Sequence, residues 1–176
     1  MFALLYDPVS EIKKLRKQSY TKILLYLLAA SLFETVGALF IAWKYLSNIL
    51  TTDAVLNGII GVLFGLIAAH LVTAFFFAIA MHVLDGKGGY YEALSTLVLG
   101  MVAPSIATFF SGAMIYLPLG TIISSALMAY GYIIGTATLF RAAKEFFELD
   151  YAGVLIGFLI TAIPLGLAVA GISFLL

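Results

Sequence analysis

Two ionisable side chains, Glu34 and His70, lie inside long apolar stretches of the sequence. A carboxyl group at mid-membrane is costly, so such a residue is by default a functional candidate whose partner should be named. Glu34 lies 12 residues after Lys22, where the first apolar run begins, and His70 lies 14 residues before Leu84, where the second run ends. In antiparallel helices these offsets are about 18 Å and about 21 Å, so the two side chains are expected at similar depth.

This candidate intramembrane polar pair, Glu34 and His70, has two interpretations. The functional one is a proton- or cation-sensitive pair in a small transporter or channel subunit. The structural one is a hydrogen-bonded or protonated glutamic acid that joins two helices. His82 lies 12 positions after His70, about 120° round a helix, so the two histidines do not form one metal site.

The sequence contains no pattern that predicts an enzyme. It has no cysteine, which excludes disulfides, thiolate metal sites and cysteine nucleophiles. Zinc-protease, nucleophile-elbow and paired-aspartate patterns are also missing. Gly86-Lys87-Gly88-Gly89 lacks the earlier glycine and the following Ser or Thr of a phosphate loop, so we interpret it as a hinge between two helices. We expect no catalytic residue, no metal, no cofactor and no nucleic-acid partner.

The elements that position these residues are apolar helices. The chain of 176 residues is 64% hydrophobic and 10% charged, which is too little charge for the surface of a soluble domain. Apolar runs longer than 18 residues recur, as in transmembrane helices. We predict an all-α polytopic membrane protein, in which residues 22–176 form a five-helix transmembrane domain. The predicted spans cover residues 22–43, 54–84, 91–110, 118–140 and 151–176, with candidate kinks at Pro104 and Pro164.

Residues 1–21 form the remaining segment and are strongly basic. Asp7-Pro8 is a favourable helix start, and a basic cluster follows. We predict an amphipathic surface helix attracted to anionic lipid headgroups. The alternative is a basic flank that only fixes the orientation of the protein. The cluster consists of Lys13, Lys14, Arg16, Lys17 and Lys22.

The basic residues also predict the orientation. With five spans, eight of the nine Lys and Arg residues lie on one side and only Lys44 lies on the other. The positive-inside rule then places the N-terminus in the cytoplasm and the C-terminus outside. The membrane is the cell membrane if the source is prokaryotic.

Several of these features are shared with a known family, and the chain resembles the Yip1-domain membrane proteins. The matching features are Asp7-Pro8 before a lead helix, a histidine in the second span, the run from Gly86 to Tyr90, Pro104 in the third span and the five-span plan. The resemblance implies a non-enzymatic protein with a membrane-organising, trafficking-like or partner-binding role. Its partner would be a second copy or another membrane protein.

Eukaryotic members of that family contact small prenylated GTPases through their cytoplasmic side. The sequence has residues 1–21 before its first predicted span, and it looks more like the short bacterial and archaeal members.

Overall fold

The computed structural model describes Ile12, residues 19–47 and residues 51–175, with their side chains except those of residue 52 and residues 168–175. Most of the lead segment predicted over residues 1–21 lies outside this part of the chain. The described residues form five α-helices and no strand. In chain order they are α1 Tyr20–Leu46, α2 Thr52–Val83, α3 Tyr90–Met114, α4 Gly120–Phe147 and α5 Tyr151–Leu175.

Four of the helices, α1 to α4, are long and apolar enough to cross a membrane. Their lengths of 25 to 32 residues correspond to about 38 to 48 Å, more than the ~30 Å of a bilayer's hydrocarbon core. The chain therefore fits an all-helical membrane protein. In α5, the part with described side chains is the shorter apolar helix Tyr151–Leu167. The fifth span therefore remains a prediction.

The observed helix ends differ from the predicted ones mainly in α4. The fourth span is predicted to end at residue 140, but α4 continues to Phe147 and the connection to α5 begins only at Glu148. Ala142, Ala143 and Phe146 on this extension are buried, so tertiary packing stabilises two more turns than hydropathy indicates. Similarly, α3 ends at Met114, four residues after the predicted end of the third span.

Helix α3 is at the centre of the fold. Of its most apolar 18-residue window 89% is buried, against 11% for α2. Glycines allow α3 to approach its two main neighbours closely. A Cβ added to Gly37 of α1 would lie 2.5 Å from the backbone of Thr108, and one added to Gly135 of α4 would lie 2.5 Å from the Gly100 carbonyl oxygen. Such backbone contacts are typical of helix packing in membranes.

Tertiary contacts show which connections share an end of the bundle. At one end, the Lys87 N–H donates to the Phe147 carbonyl (3.0 Å), which joins the α2–α3 connection to the end of α4. At the other end, Lys44 Nζ donates to the Ile115 carbonyl (3.2 Å). We call the first end the basic end, because it carries four of the five described basic residues and the other carries only Lys44. The four are Lys22, Lys87, Arg141 and Lys144.

The hinge predicted at Gly86, Lys87, Gly88 and Gly89 is a non-helical connection held by specific contacts. Gly86 N–H donates to the Met81 carbonyl (2.9 Å) and Asp85 N–H donates to the His82 carbonyl (3.1 Å), with Asp85 at a φ of 61°. This is the Schellman arrangement that ends many helices. A Cβ on Gly88 would lie 2.8 Å from the Phe147 ring, so the connection packs closely against the end of α4.

The two prolines predicted to kink their helices lie inside helices that continue past them. Pro104 is in α3 and Pro164 is in α5. Neither proline ends its helix. The bend at each remains a prediction.

Candidate functional site

Glu34 and His70 line one cavity of about 250 Å³ between four helices. Glu34 comes from α1 and His70 from α2, and the other walls belong to α3 and α4. The sequence predicted that these two side chains lie at similar depth, and the fold places both on this cavity. It lies near the middle of each helix, far from the connections at either end.

Glu34 and His70 have different hydrogen-bond partners. Ser105 Oγ of α3 donates to Glu34 Oε2 at 3.1 Å. His70 Nδ1 lies 2.8 Å from the Leu66 carbonyl oxygen one turn earlier in α2. Because a carbonyl only accepts, this contact assigns the proton to Nδ1, and in the neutral ring Nε2 is then the acceptor.

Gly100 of α3 also lines the cavity, and its carbonyl oxygen lies at the α3–α4 contact. Four residues later, where a helix normally supplies the N–H donor for this carbonyl, the chain has Pro104, which has none. Both residues line the cavity. Gly135 of α4 lies against them, since a Cβ there would lie 2.5 Å from the Gly100 oxygen and 2.6 Å from Pro104 Cδ.

Helix α4 contributes two side chains that the sequence did not single out, Tyr132 and Thr136. They are four residues apart and therefore lie on one helix face. The spacing was visible in the sequence, but nothing indicated that this face of α4 is turned toward Glu34. The remaining lining is largely apolar and includes Leu97, Met101 and Leu139. A largely apolar cavity with a few polar groups is typical of small-ligand sites.

His82 is separate from this cavity. It is exposed near the basic end of α2 and lines a groove with Gly88, Gly89 and Tyr90. Across the described residues, no three His, Cys, Asp or Glu side chains are grouped so that they could hold a metal ion.

A second opening is a groove of about 190 Å³ between α1 and α2, near the end that carries Lys44. Thr35, Ala38 and Gly58 are among its lining residues. Thr35 is 2% exposed, and within the described part of the chain its hydroxyl has no hydrogen-bond partner. Such an unpaired buried hydroxyl is uncommon, because an unsatisfied polar group is costly to bury.

Gly58, Gly61 and Gly65 form a stripe of small residues on α2, which we call the glycine stripe. This stripe is open on the outside of the bundle. A Cβ added to Gly58, Gly61 or Gly65 would meet no atom within 4 Å. The close helix contact that this stripe permits is therefore not made inside the described chain.

Comparison of the chain with protein-family models, with curated proteins and with solved structures gives no match. The resemblance to Yip1-domain proteins therefore rests on the residues quoted for it.

Proposed function

We propose that the chain is a non-enzymatic, multi-pass membrane protein of Yip1 type that acts by associating with a second copy or another membrane protein inside the bilayer. The observation that carries this proposal is the outward face of α2. This helix has the highest hydropathy of the four long helices, 2.4, yet only 11% of its most apolar window is buried. Its open glycines offer a smooth surface on which another helix can pack.

The groove beside this face supports the same proposal. The groove is lined by apolar and small residues of α1 and α2, and Gly58 at the start of the glycine stripe is one of them. A side chain of a partner helix that packs on the stripe can therefore fill the groove.

The proposed topology has five spans, with the N-terminus in the cytoplasm, the C-terminus outside and the lead segment on anionic lipids. Support comes from the distribution of basic residues. The Lys87 N–H bonds to the end of α4, which carries Arg141 and Lys144, and Lys22 is two residues after Tyr20, whose ring contacts Tyr91 at the same end. The positive-inside rule assigns that end to the cytoplasm. Single cysteines at Ser47 and Lys87 should label from opposite sides of sealed vesicles, and labelling from one side would contradict the topology.

Cross-linking tests association, and the absence of natural cysteines makes it simple. Gly61→Cys should give disulfide-linked dimers or partner adducts in native membranes, which pull-down then identifies. Gly166→Cys on α5 is the matched control, because a Cβ at Gly166 also meets no atom within 4 Å. Equal cross-linking of both variants would show random collision and contradict the proposal.

A second candidate function is a small transporter or channel subunit, and the cavity that contains Glu34 and His70 favours it. Intramembrane ionisable residues that face a cavity often mark ion or substrate pathways. In reconstituted vesicles, Glu34→Gln should abolish pH-dependent solute flux. The Ser105–Glu34 hydrogen bond favours the structural interpretation instead, which predicts no flux in either protein.

A further inference from the structure

We propose that the cavity between α1, α2, α3 and α4 binds a small organic ammonium ion, a protonated primary amine with a short apolar body. The inference deepens the transporter candidate and rests on it only for the location of the site. Binding and flux are separate measurements, so a bound amine that is not transported would leave the inference standing and remove the transporter function.

The charge of the cavity wall favours a cationic ligand. Among the described residues, Glu34 is the only acidic one that lines the cavity, and no lysine or arginine lines it. The carboxylate form of Glu34 therefore faces no fixed cation in the wall. Glu34 is half-buried, and its carboxylate can form a charge-assisted hydrogen bond with a cation that carries N–H donors.

The cavity wall also carries hydrogen-bond acceptors on Glu34 and His70. The contact with Leu66 uses the Nδ1 proton of His70, which leaves Nε2 as an acceptor. Glu34 and the neutral His70 ring together favour a ligand that donates several hydrogen bonds, and a primary ammonium carries three N–H donors.

The volume and the apolar lining of the cavity fit a small ligand with an apolar body. A volume of about 250 Å³ is below the ~300–1,000 Å³ of typical drug-sized sites, so the ligand is small. Leu97, Met101 and Leu139 supply apolar surface for an alkyl body. Tyr132 adds an aromatic ring, which attracts an ammonium group through cation–π interaction.

The ligand reaches the cavity from the side of the bundle. Tyr132 is 49% exposed, and Thr136 is exposed next to it on the outer surface of α4. The cavity therefore opens laterally at mid-helix depth. A short alkylamine enters lipid in its neutral form and can approach by that route, and it becomes the ammonium ion by taking the proton of the carboxyl form of Glu34, which is left as the carboxylate.

The test is calorimetric titration of the full chain in nanodiscs of zwitterionic lipid, with n-butylammonium as the probe. 1-Butanol and butanoate serve as neutral and anionic matches of the same length. Butylammonium should bind and the other two should not. Glu34→Gln should weaken binding by at least about 10-fold, the effect of one charge-assisted hydrogen bond, and the amide keeps an oxygen that can accept from Ser105.

Glu145→Gln is the matched control, since Glu145 is exposed near the basic end of α4 and should not affect the affinity. Thr136→Val should weaken binding less than Glu34→Gln does. Equal heats for 1-butanol and butylammonium would overturn the proposal, and so would full affinity in Glu34→Gln. Displacement of the amine by an equal concentration of Na⁺ or K⁺ would also overturn it, since the site would then be one for a metal cation.

Discussion

Helices α2 and α3 are both apolar enough to cross a membrane, yet they occupy opposite environments. Their most apolar windows have hydropathies of 2.4 and 1.8, whereas the buried fractions are 11% and 89%. The more apolar helix is thus the more exposed one. In a bilayer the tails are as apolar as leucine, so hydropathy does not drive a helix to the centre of a bundle.

Side-chain size distinguishes the two helices better than hydropathy does. Small residues recur along α3 at helical spacing, and all of them are buried: Ala93, Thr96, Gly100, Ala103 and Ala107. They share one face of α3, against which α4 packs closely, whereas Thr108 and Gly112 on another face of α3 contact Gly37 of α1. Helix α2 has small residues on one stripe and large exposed side chains such as Phe64 and Phe75 nearby. Small residues on several faces are therefore the better indicator of the central helix.

The largest expected effect comes from replacing a glycine by alanine, once at the buried α3–α4 contact and once on the exposed face of α2. Gly135→Ala, at the α3–α4 contact, should lower the free energy of unfolding by about 2 kcal/mol, because the new Cβ would lie 2.5 Å from a backbone oxygen. Gly61→Ala on α2 should raise it by about 0.5 kcal/mol, since alanine is the better helix former and the space is open. Unfolding in mixed micelles with rising denaturing detergent measures both.

Equal effects of the two alanines would mean that α2 and α3 are not packed as differently as the burial indicates. A loss of stability in Gly61→Ala that depends on protein concentration would instead show that the stripe is already in contact with a second copy.

Much of this fold could be predicted from the sequence, because a membrane constrains helices strongly. Length and hydropathy were sufficient to locate α1 to α4, and counting residues along antiparallel helices was sufficient to bring Glu34 and His70 to one depth. The basic asymmetry also agrees with the contacts that place Lys87 and the end of α4 together.

The rest depends on how helices are rotated about their own axes, which hydropathy does not specify. Tyr132 and Thr136 reach the cavity only because the Gly131 and Gly135 side of α4 packs on α3. The glycine stripe of α2 permits close helix contact, but the described part of the chain leaves it open. The turns after Arg141 are helical because Phe146 and Phe147 pack inward, an amphipathic signal too short for a hydropathy window.

The second-largest expected effect comes from truncating a buried side chain of α3, in comparison with a larger, exposed side chain of α2. Val102 is 0% exposed, and Val102→Ala should lower the free energy of unfolding by about 1 kcal/mol through lost packing. Phe64 is 65% exposed, and Phe64→Ala should change it by less than about 0.5 kcal/mol in monomeric protein, because lipid or detergent replaces the lost contacts. The same micelle titration measures both variants. A larger cost for Phe64→Ala would show that this face of α2 is covered by protein.

The smallest expected effects come from removing either of two hydroxyl groups on the α3 surface that faces α1. Ser105 donates to Glu34, whereas the buried hydroxyl of Thr108 has no hydrogen-bond partner within the described part of the chain. Ser105→Ala should cost about 0.6 kcal/mol, the usual value of a hydrogen bond between membrane helices. Thr108→Val should be neutral or slightly stabilising, because removing an unpaired buried hydroxyl removes a desolvation penalty.

The comparison of Ser105 with Thr108 also tests what Glu34 does. In Glu34→Gln the amide oxygen can still accept from Ser105, so a purely structural role predicts that the cost of Ser105→Ala is the same in either background. If Glu34 is instead held for a ligand, Ser105→Ala should also weaken butylammonium binding, while Thr108→Val should leave it unchanged. A double-mutant cycle with the binding measurement distinguishes these outcomes, because only the first role confines the effect of Ser105 to stability.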